Sequence, residues 1–152
     1  MEHINAASEE DLRQILLGCL HSPRWSRRVA EHRPYPDLDS LLAAADEAAY
    51  DLTWADLIEA LAAESLPPLP EDTYTAAHTA LSAAHAAYEA RFGHVFVICL
   101  HGVVPCEVLD HLLEAVRSRL TNDPEEERVV VADELRRLAR ERLVNALRGT
   151  GR

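Results

Sequence analysis

Eight histidines and three cysteines hold most of the titratable chemistry that this 152-residue sequence offers near neutral pH. His78 and His85 lie seven positions apart on one predicted helix, so they share a face. A metal pair or an acid–base pair fits that spacing, and so do two ordinary solvent-facing or singly bonded imidazoles. His101, Cys106 and His111 straddle a predicted loop and helix and form a poor metal set. No metal site is expected. The cysteines, Cys19, Cys99 and Cys106, are odd in number, lack a CxxC spacing and sit in apolar contexts. They read as buried free thiols in a reducing, cytoplasmic compartment. There is no Gly-rich phosphate loop, HExxH or GxSxG motif.

Charge narrows the partners. Fifteen basic against 26 acidic side chains give a net charge of −11. Phosphate repulsion then argues against general nucleic-acid binding. Arginines still cluster in "SPRWSRR" and "RRLARER", which leaves room for a local cationic pocket that takes a small anion. No apolar run approaches the roughly 18–20 residues of a membrane span, and the acidic N-terminal stretch does not read as a signal peptide.

The elements that must position these groups are helices. Apolar residues make up 48% and aromatics only 5%, so Leu, Ala and Val must fill the core of one domain spanning residues 1–152. Ser8 caps a helix carrying Leu12, Ile15, Leu16, Cys19 and Leu20. Ser22 with Pro23 starts a second, with Trp25 and Val29 inward, and Trp25 and Tyr35 read as packing residues. Asp37 or Asp39 starts a third, with Leu38, Leu41, Leu42 and Ala45 on one side. Thr53 with Asp56 resembles a capping box for a fourth, carrying Leu57, Ile58 and Leu61; Trp54 near its start is packing or interface. "ESLPPLPED" is a stiff surface connection or a pocket lip, because its prolines remove donors and fix φ. An alanine-rich helix runs from Asp72 to Arg91, another opens at Pro105, and a last one runs from Asp123 as cap to about Leu147. The fold class is all-α, six or seven helices with one extended segment near residues 94–100.

That segment, "RFGHVFVICLHG", has no strand partner of its own. Its buried N–H and C=O groups need partners elsewhere, from side chains and helix ends or from a bound ligand. Gly93 and Gly102 allow sharp turns at its two ends.

Several stretches together, "CLHSPRW…RPYPDLDSLLAAAD", "DLIEALAA", "AAYEARFGHVFVICLHG", "RLTNDPEEE" and "RLARERL", make the chain resemble the 2-oxo-4-hydroxy-4-carboxy-5-ureidoimidazoline (OHCU) decarboxylase family, from about Ile15 to Leu147. The resemblance implies an all-helical, cofactor-free and commonly dimeric enzyme that releases CO₂ from a uric-acid breakdown product to give (S)-allantoin. It implies that Phe96, Val97, Ile98, Cys99 and Leu100 present backbone to the substrate ring, and that Arg142 holds a carboxylate. The sequence departs from the family pattern at its chemistry. Glu64, followed by Ser65, stands where the family has a catalytic histidine in a His-Pro-x-x-Gly segment. About two dozen residues separate Glu64 from Tyr88, so the insert bearing the family's Glu-Gln pair is largely missing, and His85 replaces an asparagine.

Decarboxylation leaves a carbanion or enolate, which needs electrostatic stabilisation and an acid that delivers one proton to one face. The sequence nominates Glu64 and His85 as that acid, with Ser65, the 96–100 segment and Arg142 as substrate-binding residues. The readings are a family-type decarboxylase with a rearranged acid, the same scaffold turned to another small carboxylated substrate, and a non-catalytic ligand- or partner-binding protein. A small molecule is the expected ligand. The apolar surplus also allows a helix-packed homodimer.

Overall fold

Local capping chemistry sets most of the helix starts. The computed structural model describes residues 1–67, 69 and 75–150, with side chains as far as 149. Ser8, Ser22, Asp37 and Thr53 each accept a backbone N–H of the first turn, and they open α2 (Glu9–Cys19), α3 (Pro23–Glu31), α4 (Leu38–Tyr50) and α5 (Trp54–Ala62). Thr53 and Asp56 close a full capping box. Before these stands a short helix, α1 (Glu2–Ala6), and after them come α6 (Thr75–Phe92), α7 (Val108–Leu120) and α8 (Pro124–Thr150). Asp123 accepts from Glu126 N at 2.8 Å and so caps α8.

The described residues are all-α with no strand, as expected, and hold eight helices rather than six or seven. The extra one is α1, whose five residues contribute a single buried side chain, Ile4, and so carry no periodicity to read. Pro105 opens a one-turn 3-10 helix, Pro105–Glu107, and α7 begins only at Val108. Cys106 falls in that turn and is exposed, and Cys99 is half-buried. Of the three thiols expected inside, only Cys19 is buried; all three are free, and burial pushes the Cys19 thiol up to about 11 against the opposing pull of Arg142. Ile58 is exposed as well, because α5 buries Leu57, Ala60 and Leu61 instead. Most of the "LPPLPED" connection and the expected helix start at Asp72 lie outside the described residues.

Two apolar cores result. The larger gathers α1 to α5 against α8, around Trp25, whose indole N–H donates to Ala45 O at 2.9 Å. The smaller gathers α6 and α7 around Leu81, Tyr88, Leu112 and Val116. The 94–100 segment runs between them. Val95 and Val97 pack into the larger core, and Phe96, Ile98 and Leu100 into the smaller. This is the alternation of an extended chain with both faces covered. Gly93 and Gly102, at φ +80° and +85°, turn the chain into and out of it.

Side chains satisfy part of its main chain. Arg119 donates to Val97 O at 2.6 Å, and Glu134 accepts from Cys99 N at 2.7 Å. Arg119 is itself buried with Glu127 and Tyr88. It reaches the Glu127 carboxylate through Nε at 2.8 Å and Nη2 at 2.6 Å, and the Tyr88 hydroxyl donates to the same oxygen. Asn122 donates to the other Glu127 oxygen at 3.0 Å. Burial, and then the bond to Glu127, raise the pKa of Tyr88. The guanidinium also lies over the Phe96 ring, 4.3 Å from its centroid. The "YEARFG" and "RLTNDPEEE" stretches thus meet in one buried network that clamps the extended segment.

Candidate active site

A cavity of about 560 Å³ opens against this segment. That is an ordinary size for a small-molecule site. Four elements build it. The C-terminal end of α2 gives Leu17, Gly18 and His21, the chain after α5 gives Glu64, Ser65, Leu66 and Pro67, the extended segment gives Val97, Ile98 and Leu100, and α8 gives Leu138, Glu141 and Arg142.

Glu64 and Arg142 face each other across 78 positions of sequence. Both terminal guanidinium nitrogens donate to the carboxylate, each at 2.8 Å, one to each oxygen. Two parallel N–H···O bonds of this kind are the bidentate geometry of an arginine–carboxylate ion pair. Arg142 also donates to Cys19 O at 3.2 Å, at the negative end of the α2 dipole. The bond to Glu64 is the main cause that raises the pKa of Arg142, with burial opposing it. The Glu64 side chain is 7% exposed and that of Arg142 36%, so the pair is open to the cavity on the arginine side.

The main chain contributes too. In an extended chain, the N–H and C=O of one residue point to one edge and those of the next to the other. Arg119 and Glu134 occupy the edge of Val97 and Cys99. The N–H and C=O of Ile98, a lining residue, have no hydrogen-bond partner among the described residues. The wall therefore carries a donor and an acceptor side by side that no described residue engages.

The structure brings Glu64, Ser65, Val97, Ile98, Leu100 and Arg142 around one cavity. It does not bring Phe96, Cys99 or His85 there. Phe96 is fully buried in the smaller core. The Cys99 thiol points along α8 and donates to Glu141 at 3.4 Å. His85 stacks on Phe96 with ring centroids 5.5 Å apart. It lines a separate space of about 190 Å³ with His78, on the other side of Leu66 and Pro67, and burial lowers its pKa. Its Nε2 has no partner among the described residues. Conversely, His21 lines the main cavity and sequence reading passed over it. It sits between the α2 end and the Ser22 cap, where no helical period marks a face. Its one signal is being a titratable residue at a helix junction. His101, Cys106 and His111 form no metal-holding group among the described residues, and no described helix is long and apolar enough to cross a membrane.

Chemically, the cavity offers a guanidinium fork already paired to a carboxylate, an imidazole, a hydroxyl, a free amide edge and an apolar floor. Comparison with curated proteins gives no match. An OHCU decarboxylase crystallised in the presence of (S)-allantoin shares the fold, with 20% identity, a TM-score of 0.74 and coverage of 92% of this chain and 98% of that one. An (S)-allantoin synthase does so with 18% identity and a TM-score of 0.71 over 95% of this chain, which spans 52% of the synthase. The family model described as OHCU decarboxylase matches residues 5–74 and 68–144. With nearly the whole sequence accounted for by that model, the chain belongs to the OHCU decarboxylase family.

Proposed function

We propose that this protein is a decarboxylase of the ureide type, acting without a cofactor on OHCU to give (S)-allantoin. The observation that carries this reading is the convergence of Arg142, the free Ile98 amide edge and His21 on one cavity. The Ile98 N–H and C=O match the adjacent acceptor and donor of a planar ureide or lactam. Arg142 draws the substrate carboxylate to the mouth of the cavity, and Glu64 holds the fork in place. The bond from ring carbon to carboxylate then breaks, CO₂ leaves, and the electron pair stays on the ring system. His21 delivers one proton to one face, which sets the product's handedness.

The test is turnover on freshly generated substrate, made from urate with uricase and hydroxyisourate hydrolase and followed by circular dichroism. The expected result is optically active (S)-allantoin forming well ahead of a no-protein control, with His21→Gln slowing it by about 10²–10⁴-fold. A trace that matches spontaneous racemic decay would overturn the reading. One observation favours a second reading: Glu64 already occupies both terminal nitrogens of Arg142. A scaffold that binds an uncharged ureide without turning it over also fits that arrangement. It predicts saturable binding of (S)-allantoin together with no turnover.

A further inference from the structure

A second cavity, of about 380 Å³, lies along α8 behind the extended segment. Its charged lining is Arg137, Arg140, Arg148, His101 and Glu141, and the amide of Asn145 joins them. The α8 positions recur at three- and four-residue steps, so one stripe of the helix faces this space. With Glu141 and the carboxylates that pair Arg137 and Arg140 counted, three arginines face three acids, and among the described residues Arg148 alone is unpaired, on a protein of net charge −11. Charges are screened beyond about 8 Å at physiological salt, so an anion inside feels the lining rather than the total.

Both oxygens of the lining glutamate are engaged. One Glu141 oxygen accepts from the Cys99 thiol at 3.4 Å, and the other lies 3.6 Å from His101 Nδ1. Arg137 and Arg140 each meet a single carboxylate, Asp133 and Asp46, at 3.1 Å. Their side chains stay 59% and 48% exposed, which leaves donors open to a ligand. Arg148 has no hydrogen-bond or ion-pair partner among the described residues.

We infer that this cavity is a binding site for the phosphate group of a small phosphomonoester. Guanidinium forks pair bidentately with phosphate, and the Arg148 fork, unpaired among the described residues, stands beside the open donors of Arg137 and Arg140. The volume suits a metabolite rather than a polymer. The inference is independent of the reaction proposed above. Glu141 also lines the first cavity, so occupancy of the second bears on the first through that carboxylate.

The test is a titration with inorganic phosphate followed by ¹⁵N NMR, at an ionic strength held constant with chloride. Saturable shifts are expected at the Arg137, Arg140 and Arg148 Nε–H groups and the Asn145 side-chain amide. Arg140→Gln with Arg148→Gln should weaken binding at least about tenfold, an energy of about 1.4 kcal/mol. Arg148→Gln alone removes a partnerless side chain and serves as the second variant should the pair disturb the fold; it should weaken binding several-fold. Shifts that stay linear and match those from added chloride would overturn the site. So would unchanged affinity in both variants.

Discussion

Two arginine–glutamate pairs flank the extended segment, and they differ in what surrounds them. Arg119 and Glu127 are sealed, with side chains 8% and 1% exposed. Every nitrogen of that guanidinium is engaged, by Glu127, Val97 O and Tyr88. Arg142 and Glu64 have equally short bonds, but water reaches the arginine. The sealed pair shapes the wall and has no capacity left for a ligand. The open pair stands in front of that wall and can exchange partners. The same two residue types build in one place and are free to act in the other, and solvent decides which.

Arg119→Ala should have the largest effect, because it strands a buried carboxylate and frees Val97 O; a loss of about 3–5 kcal/mol is expected in urea unfolding. A loss below about 1 kcal/mol would break the contrast. Arg142→Gln should lower stability by distinctly less, since the site is partly solvated, yet reduce kcat/KM about 10²-fold through the lost charge-assisted contact. Equal unfolding losses in the two variants would erase the distinction between the pairs. Gly93→Ala tests the hinge of the wall: a Cβ there meets nothing within 4 Å, so only the φ of +80° opposes it. The expected loss is about 1–2 kcal/mol.

The smallest effect is a pH slope from His85. Burial lowers its pKa in the folded protein from 6.5, so below pH 6.5 the unfolded chain binds more protons and stability falls as the solution is acidified. His85→Leu should flatten that slope. It should also raise stability at neutral pH by about 1 kcal/mol, since it removes an unpaired buried nitrogen. Unfolding curves at a series of pH values check both.

Helix starts were legible because they are local. Ser22 with Pro23, Thr53 with Asp56 and Asp123 with Pro124 announce themselves within four residues. The site was legible only in part, because it is assembled at long range. No spacing rule joins Glu64 to Arg142, and the family resemblance alone pointed to both. The resemblance marked residues 96–100 as a block, whereas long-range packing treats each side chain separately. Phe96 is sealed in the smaller core and the Cys99 thiol meets Glu141, while Val97, Ile98 and Leu100 line the cavity. His85 followed the helical period into the smaller core, against Phe96.

The Ile98 amide edge, unengaged among the described residues, has a consequence for descent. Every amino acid except proline carries the same N–H and C=O, so two relatives can differ at every side chain of this stretch and still offer an identical donor and acceptor. What must be inherited is the parity of the segment. Adding or removing a single residue exchanges the two edges and points the wrong amide at the cavity. Recognition kept in this way is recorded in chain length and leaves no letter for a comparison of residues to find.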